Sequence, residues 1–171
     1  MQLPTETPTD NYFRGDPEHP SHLSVGAVLL SGDKICCHHF QFADFYILMR
    51  ETVEPNETFE QALTRGLLDE FGARAKVRAY VGSLKTYYEL DDKTVEKTTL
   101  YFLCELESRS EAWRKYDDHE KDSTIECHPI SFLIPKMKEQ AQRLNRTHLD
   151  ESYILERAQA FLPKDHSHQV V

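Results

Sequence analysis

The chain has 171 residues, 39% of them hydrophobic and 11% aromatic, enough for one domain with a real core. Its 20 Lys and Arg stand against 29 Asp and Glu, a formal charge of -9, which opposes unassisted binding of a nucleic acid polymer and leaves any polyphosphate ligand in need of metal. The four cysteines, Cys36, Cys37, Cys104 and Cys127, contain no C-x-x-C pair, and no apolar run reaches membrane-spanning length, so neither a disulfide frame, a zinc site nor a membrane segment is expected and a cytoplasmic protein is the simplest reading.

In chain order, residues 1–20 are polar and proline-bearing and read as a flexible tail, with Tyr12 and Phe13 able to dock on the body. Residues 21–163 read as a single domain and 164–171 as a second flexible tail. Residues 24–31, SVGAVLLS, form a buried strand, Gly32 and Asp33 turn the chain into a strand at 35–38, and 45–49 makes a third. Thr58 with Gln61 three residues on is a capping box, and Gly72 is suited to a left-handed stop, which predicts a helix over 59–71. Phe59, Ala62, Leu63, Gly66 and Leu67 share its core-facing stripe, whose next member is Glu70.

Beyond the helix, residues 76–81 read as a strand and 84–107 as a hairpin bent at Asp91, Asp92 and Lys93. Its second arm carries TTLYFLC, residues 99–104, apolar enough for a strand covered on both faces. A strand is expected at 125–133, interrupted or at an edge because of Pro129, followed by helices at 135–144 and 150–162. Mixed strands around a central helix, with helices at the end, give an α/β fold, an α/β/α sandwich with a mixed sheet. The adjacent His38 and His39, like His166 and His168, have no metal-ligand spacing and read as surface residues.

Residues 50–73, RETVEPNETFEQALTRGLLDEFGA, carry most of the chemistry. They resemble the signature box of the Nudix hydrolases, G-x5-E-x7-R-E-U-x-E-E-x-G-U with U aliphatic. Glu57 falls on the first Glu, Arg65 on the Arg, Leu67 on U, Asp69 and Glu70 on the acidic pair, and Gly72 on the last Gly. Three positions depart: the opening Gly is Glu51, the Glu after the Arg is Gly66, and one acidic position is shortened to Asp69. Tyr46, Arg50, Val53, Glu54, Pro55 and Glu57 are similar to the W-x-x-P-K-G-x-V-E-P-G-E segment of the dinucleoside polyphosphate hydrolase branch, and residues 96–106, EKTTLYFLCEL, to its later K-T-x-x-Y-[FW]-L strand.

The resemblance implies the same sandwich fold and a Mg2+ (or Mn2+) hydrolase cleaving a phosphoanhydride in a nucleoside diphosphate-linked or dinucleoside polyphosphate substrate. Asp69 and Glu70 would be the metal and catalytic carboxylates, and Glu57 with Arg65 the structural pair tying loop to helix. Arg50 and Lys97 would meet substrate phosphates, and one of Tyr87 and Tyr88, which point to opposite sides of a strand, would offer a stacking face. In the family the carboxylate at the place of Gly66 is typically a magnesium ligand and in some members the base, so full activity here requires a carboxylate from elsewhere, with Glu120 and Glu126 the candidates. Without one, the chain reads instead as a non-catalytic Nudix-fold module binding a nucleotide or a protein, or as a structural domain with an empty pocket. The oligomeric state stays open, a homodimer among the options.

Overall fold

The computed structural model describes residues 13–16, 19–115 and 121–162. Its strands are β1 (Phe13–Asp16), β2 (His19–Ser31), β3 (Lys34–Phe40), β4 (Phe45–Ile47), β5 (Met49–Thr52), β6 (Ala73–Leu90), β7 (Lys93–Arg109) and β8 (Ser123–Pro129). Its α-helices are α1 (Phe59–Phe71), α2 (Ile130–Arg143) and α3 (Ser152–Ala158). All eight strands join one mixed sheet with the path β4-β3-β2-β7-β6, in which β1 and β5 also pair with β2 and β8 with β3. The β2–β7 pairing is parallel, while β6 and β7 form a long antiparallel hairpin.

Alternation along the strands sorts the core into two layers. Val25, Ala27 and Leu29 of β2 pack with Met49, Cys104 and the Ala62, Leu63, Leu67 and Phe71 stripe of α1. Val28, Cys37, Tyr101 and Leu103 project the other way, against Leu133 and Met137 of α2 and Ile154 and Leu155 of α3. The sheet thus lies between α1 and the α2/α3 pair, and β7 contributes to both layers, as its unbroken apolar run predicts.

Helix α1 spans the predicted residues, with the reciprocal Thr58–Gln61 box at its start and Gly72 at φ 59° closing it. The Gly72 N–H donates to Leu68 O at 3.0 Å. A side chain there would suffer the left-handed backbone and also meet Ser110 O at 2.2 Å. The end of β7 and the chain after it satisfy carbonyls left free at this helix end: Arg109 Nε donates to Phe71 O, Arg114 Nε to Glu70 O, and Lys115 N to Asp69 O. Phe59, expected in the buried stripe, is 40% exposed, because the first turn overhangs the packed layer and leaves this ring only at the edge of Phe102.

Elsewhere the boundaries move for physical reasons. The segment expected as a tail already pairs at residues 13–16, in register with His19–His22. Leu48 divides the third strand, since its N–H is taken by Glu151 Oε2 and β5 crosses to a new partner, β2. The strand at 76–81 and the hairpin arm are one strand, β6, whose irregularities at 74/75, 77/79 and 80/82 absorb what reads in sequence as a break. Helix α2 starts at Ile130, five residues before the expected proline, because burying Leu133 one turn ahead of Met137 outweighs the hydrogen bond that Pro135 cannot donate. The last helix is shorter than expected, and α3 gives way to a 3-10 turn at Gln159–Phe161.

The cysteines depart most from expectation. Cys36 and Cys127, 91 residues apart, are a register pair of β3 and β8 and are joined by a disulfide. No spacing rule reveals such a pair, since only the strand pairing brings the two together. Cys37 and Cys104 are free and buried. Among the described residues, no helix is long and apolar enough to cross a membrane.

Candidate active site

The loop before α1 is organised by Arg65. Its Nε donates to Glu57 Oε1 at 2.9 Å, and its Nη2 donates to Glu57 Oε2 at 2.8 Å and to Thr52 O at 2.7 Å. Glu57 also accepts from Glu54 N at 3.0 Å. The Arg65 hydrogen bonds hold the Glu57 carboxyl below its ordinary range. The remaining Arg65 nitrogen, Nη1, lies 2.9 Å from Glu51 Oε2. Burial raises the Glu51 carboxyl, with Arg65 pulling the other way.

Gly66 is where the site departs most from the family pattern. A Cβ built on it would lie 2.6 Å from Glu51 Cβ, 3.1 Å from Glu51 Cγ and 2.9 Å from Met49 Sδ. The glycine in α1 and the glutamate in β5 are therefore complementary, because the stem of Glu51 fills the volume that a side chain at 66 would need. The Glu51 carboxylate then turns back towards the loop, onto Arg65 and Thr52 N.

The two acidic neighbours on the helix diverge. Asp69 pairs with Lys115 Nζ at 2.9 Å. Glu70 is buried, 8% exposed, with Oε2 2.9 Å from His38 Nε2. His38, expected on the surface, is 4% exposed and packs edge-on against Phe71, its Nδ1 2.9 Å from Ser123 Oγ. Burial, with Arg114 and Arg50 nearby, lowers its pKa to about 3, so the ring is neutral. A carboxylate only accepts, so Nε2–H donates to Glu70 and Nδ1 accepts from the Ser123 hydroxyl. Two adjacent histidines on a buried strand must point to opposite faces, and that was the available signal for one of them being internal.

His39 takes the other face. It stacks on Tyr46, and its Nδ1 lies 2.7 Å from Glu126 Oε1. Burial works against ionisation of Glu126, yet hydrogen bonds from His39 and His128 hold its carboxyl below the ordinary value. Glu126, one of the two candidates for a replacement carboxylate, therefore sits across the sheet from Glu70 and does not join it. The other, Glu120, lies outside the described residues.

Arg50 and Lys97, far apart in sequence, enter one electrostatic field. Arg50 reaches within 3.7 Å of Glu151 Oε1, and Glu151 itself is buried, accepting from Tyr101 Oη and Leu48 N. Burial raises the Glu151 carboxyl. Tyr101 takes this place because its ring lies against Gly26, where a Cβ would come within 2.5 Å of Cε1. Lys97 is half-buried, and burial, reinforced by Arg50, lowers its pKa to about 8, against the pull of Glu151, Glu70 and Glu51. No side-chain hydrogen bond or ion pair among the described residues uses Lys97 Nζ. His148 lies in the field of both cations, and its pKa falls through burial and then through Arg50.

His22, beside Lys97 in the β2–β7 register, has its Nε2 2.7 Å from Thr52 Oγ1 and its Nδ1 3.4 Å from Tyr88 Oη. Of the two tyrosines, Tyr88 therefore lies on the His22 side, while Tyr87 is 57% exposed on the other. Sequence reasoning missed Glu151, His22 and His148, each a single polar residue with no motif around it.

A divalent ion needs several oxygen ligands converging on one point. Here Gly66 offers none, Glu51 is turned to Arg65, Asp69 to Lys115 and Glu70 to His38. Among the described residues no three His, Cys, Asp or Glu side chains gather into a metal-binding group. Among the described residues, the donor set as placed does not fit the magnesium site that the family's chemistry implies.

The comparisons agree on the fold. The chain is similar to a Nudix hydrolase from Nitrosomonas europaea, at 21% identity and a TM-score of 0.61 over 82% of this chain and 90% of that one. It is similar to the E. coli ORF135 protein, at 18% identity and a TM-score of 0.50 over 85% and 95% of the respective chains. A UDP-X diphosphatase matches at 19% identity and a TM-score of 0.53, over 83% of this chain and 64% of that one. No curated protein matches the chain significantly. The sequence profile of the NUDIX domain matches residues 20–148, well over half of the chain, across the sheet, the Arg65-centred loop and the carboxylate-bearing helix, and the chain belongs to the Nudix family.

Proposed function

We propose that the chain binds a nucleotide or dinucleotide through its phosphates and slowly hydrolyses a phosphoanhydride bond in a nucleoside diphosphate-linked or dinucleoside polyphosphate substrate. The observation that carries this reading is the pairing of Arg50 with Lys97. The two cations lie in one electrostatic field, Lys97 half-buried, and no side-chain hydrogen bond or ion pair among the described residues uses Lys97 Nζ. Glu151, Glu70 and Glu51 offset part of this charge from a distance, and a polyphosphate would give Lys97 a direct partner.

Hydrolysis needs neutralised phosphates, a held geometry and an acceptor for the proton of water. Arg50, steadied by Glu151 and Tyr101, and Lys97 serve the first two. Glu70 is the one helical carboxylate in the electrostatic field of both cations and is the acceptor we assign, with His38 and Ser123 fixing its orientation. The Glu57–Arg65 pair holds the loop that follows β5, the strand carrying Arg50, against α1. A nucleic acid polymer is disfavoured by the acidic balance of the chain.

The packing of Glu51 on Gly66 favours a second reading, binding without cleavage, because it removes the family's third helical carboxylate and closes its space. Isothermal titration and chromatographic detection of the nucleotide products, run on a panel of nucleoside diphosphate-linked and dinucleoside polyphosphate compounds, separate the two. The proposal expects saturable binding that Lys97→Ala weakens, together with slow turnover that Glu70→Gln abolishes. Binding without turnover leaves the second reading. No binding by any compound overturns both.

A further inference from the structure

Position 51 bears a carboxylate where the family pattern has glycine, and position 66 bears nothing where the pattern has a carboxylate. The contact between them makes this one exchange rather than two independent losses. Only one of the two positions can carry a side chain, because Glu51 Cβ stands 2.6 Å from where a Cβ at 66 would be. Moved from the helix to the strand, the carboxylate is captured by Arg65 Nη1 at 2.9 Å and Thr52 N at 2.7 Å. The other two acids are also matched within the protein, Asp69 with Lys115 and Glu70 with His38. A site built to receive a divalent ion keeps its carboxylates mutually close and short of positive charge, so that the ion supplies it. In this chain the positive charge and the donors are already covalently part of the protein.

The same accounting holds on the ligand side. A metal would neutralise phosphate oxygens, and here two side-chain cations, Arg50 and Lys97, lie in one electrostatic field with Glu70. We infer that the Gly66–Glu51 exchange has converted the metal-binding face of α1 into a network of intramolecular ion pairs and hydrogen bonds, so that this chain holds polyphosphate ligands without a divalent cation. The inference rests on the proposed binding of phosphates at Arg50 and Lys97. It also implies that returning the carboxylate to the helix, by Glu51→Gly together with Gly66→Glu, creates a cation site, whereas Gly66→Glu alone forces two side chains into one space.

The test uses the full chain and a methylene-bridged, nonhydrolysable dinucleoside polyphosphate. Its Kd is measured by titration calorimetry in EDTA and again in Mg2+. Mn2+ alone is titrated into the parent, into Gly66→Glu and into the double variant, followed by the electron paramagnetic resonance signal of free Mn2+. The expected results are a parent Kd that changes by less than about threefold between EDTA and Mg2+, no stoichiometric Mn2+ uptake by the parent, and uptake by the double variant. Gly66→Glu alone should melt below the parent. Binding in Mg2+ that weakens by roughly tenfold or more in EDTA overturns the inference while leaving the proposed function standing. Stoichiometric Mn2+ uptake by the parent also overturns it. Binding in neither buffer removes both.

Discussion

Replacing Glu57 with glutamine tests the loop-to-helix clamp with no change in size. The substitution removes the charge from a carboxylate that accepts two Arg65 hydrogen bonds, at 2.9 and 2.8 Å, and a third from Glu54 N. Charge-assisted bonds of this type contribute roughly 1.5–3 kcal/mol. Both side chains keep some solvent contact, 12% for Glu57 and 28% for Arg65, and Arg65 retains Thr52 O and Glu51 in the variant. The loss should therefore fall at the lower end, about 1–2 kcal/mol.

For a chain of this size that loss corresponds to a fall in Tm of about 2–8 °C. The pH dependence gives a second readout. The folded-state carboxyl of Glu57 lies below its ordinary value, chiefly through Arg65, so its contribution is fully present above the ordinary carboxylate pKa and is lost as pH falls through the lowered one. Glutamine has no such contribution to lose. Urea midpoints of parent and Glu57→Gln, measured from neutral pH into acid, should differ most at neutrality and converge in acid. Equal midpoints at neutral pH, or a gap that widens as pH falls, would refute the clamp.

Three further outcomes are expected. Gly66→Ala gains about 0.8–1 kcal/mol of helix propensity but meets Glu51 Cβ at 2.6 Å, and overpacking of that kind costs about 1–3 kcal/mol. It should be neutral to destabilising in the parent and less costly in a Glu51→Gly background, where Met49 Sδ at 2.9 Å remains to be displaced, and an equal effect in both backgrounds on urea melts would sink the packing argument. The Cys36–Cys127 disulfide closes a loop spanning a sequence separation of 91, worth about 4–5 kcal/mol by chain entropy, so reductant or Cys127→Ser should lower the urea midpoint markedly; no shift would remove the disulfide. His38→Leu removes a hydrogen-bond donor from the buried Glu70 carboxylate and should cost about 1–3 kcal/mol, part of it recovered by adding Glu70→Leu; full stability of the single variant would contradict the hydrogen bond.

Local interactions account for what the sequence by itself determined. The capping box at Thr58 and Gln61, the stop at Gly72 and the 3.6-residue stripe through Ala62, Leu63 and Leu67 act within a few residues of one another, so the helix is legible before any fold exists. Alternation and apolar run length place the strands for the same reason, and with them the sandwich. Residues separated by tens of positions meet only through strand register, and there the chain alone is silent. The register of β3 sets His38 against Glu70, 32 residues away, and sends His39 with Glu126 to the opposite face. It also joins Cys36 to Cys127. The crossing of β5 from β4 to β2 lays Glu51 over Gly66, so that a glycine read in sequence as a lost carboxylate proves to be half of a packed pair. Side-chain volume and buried charge decide these contacts, and both depend on which surfaces the folded sheet brings together.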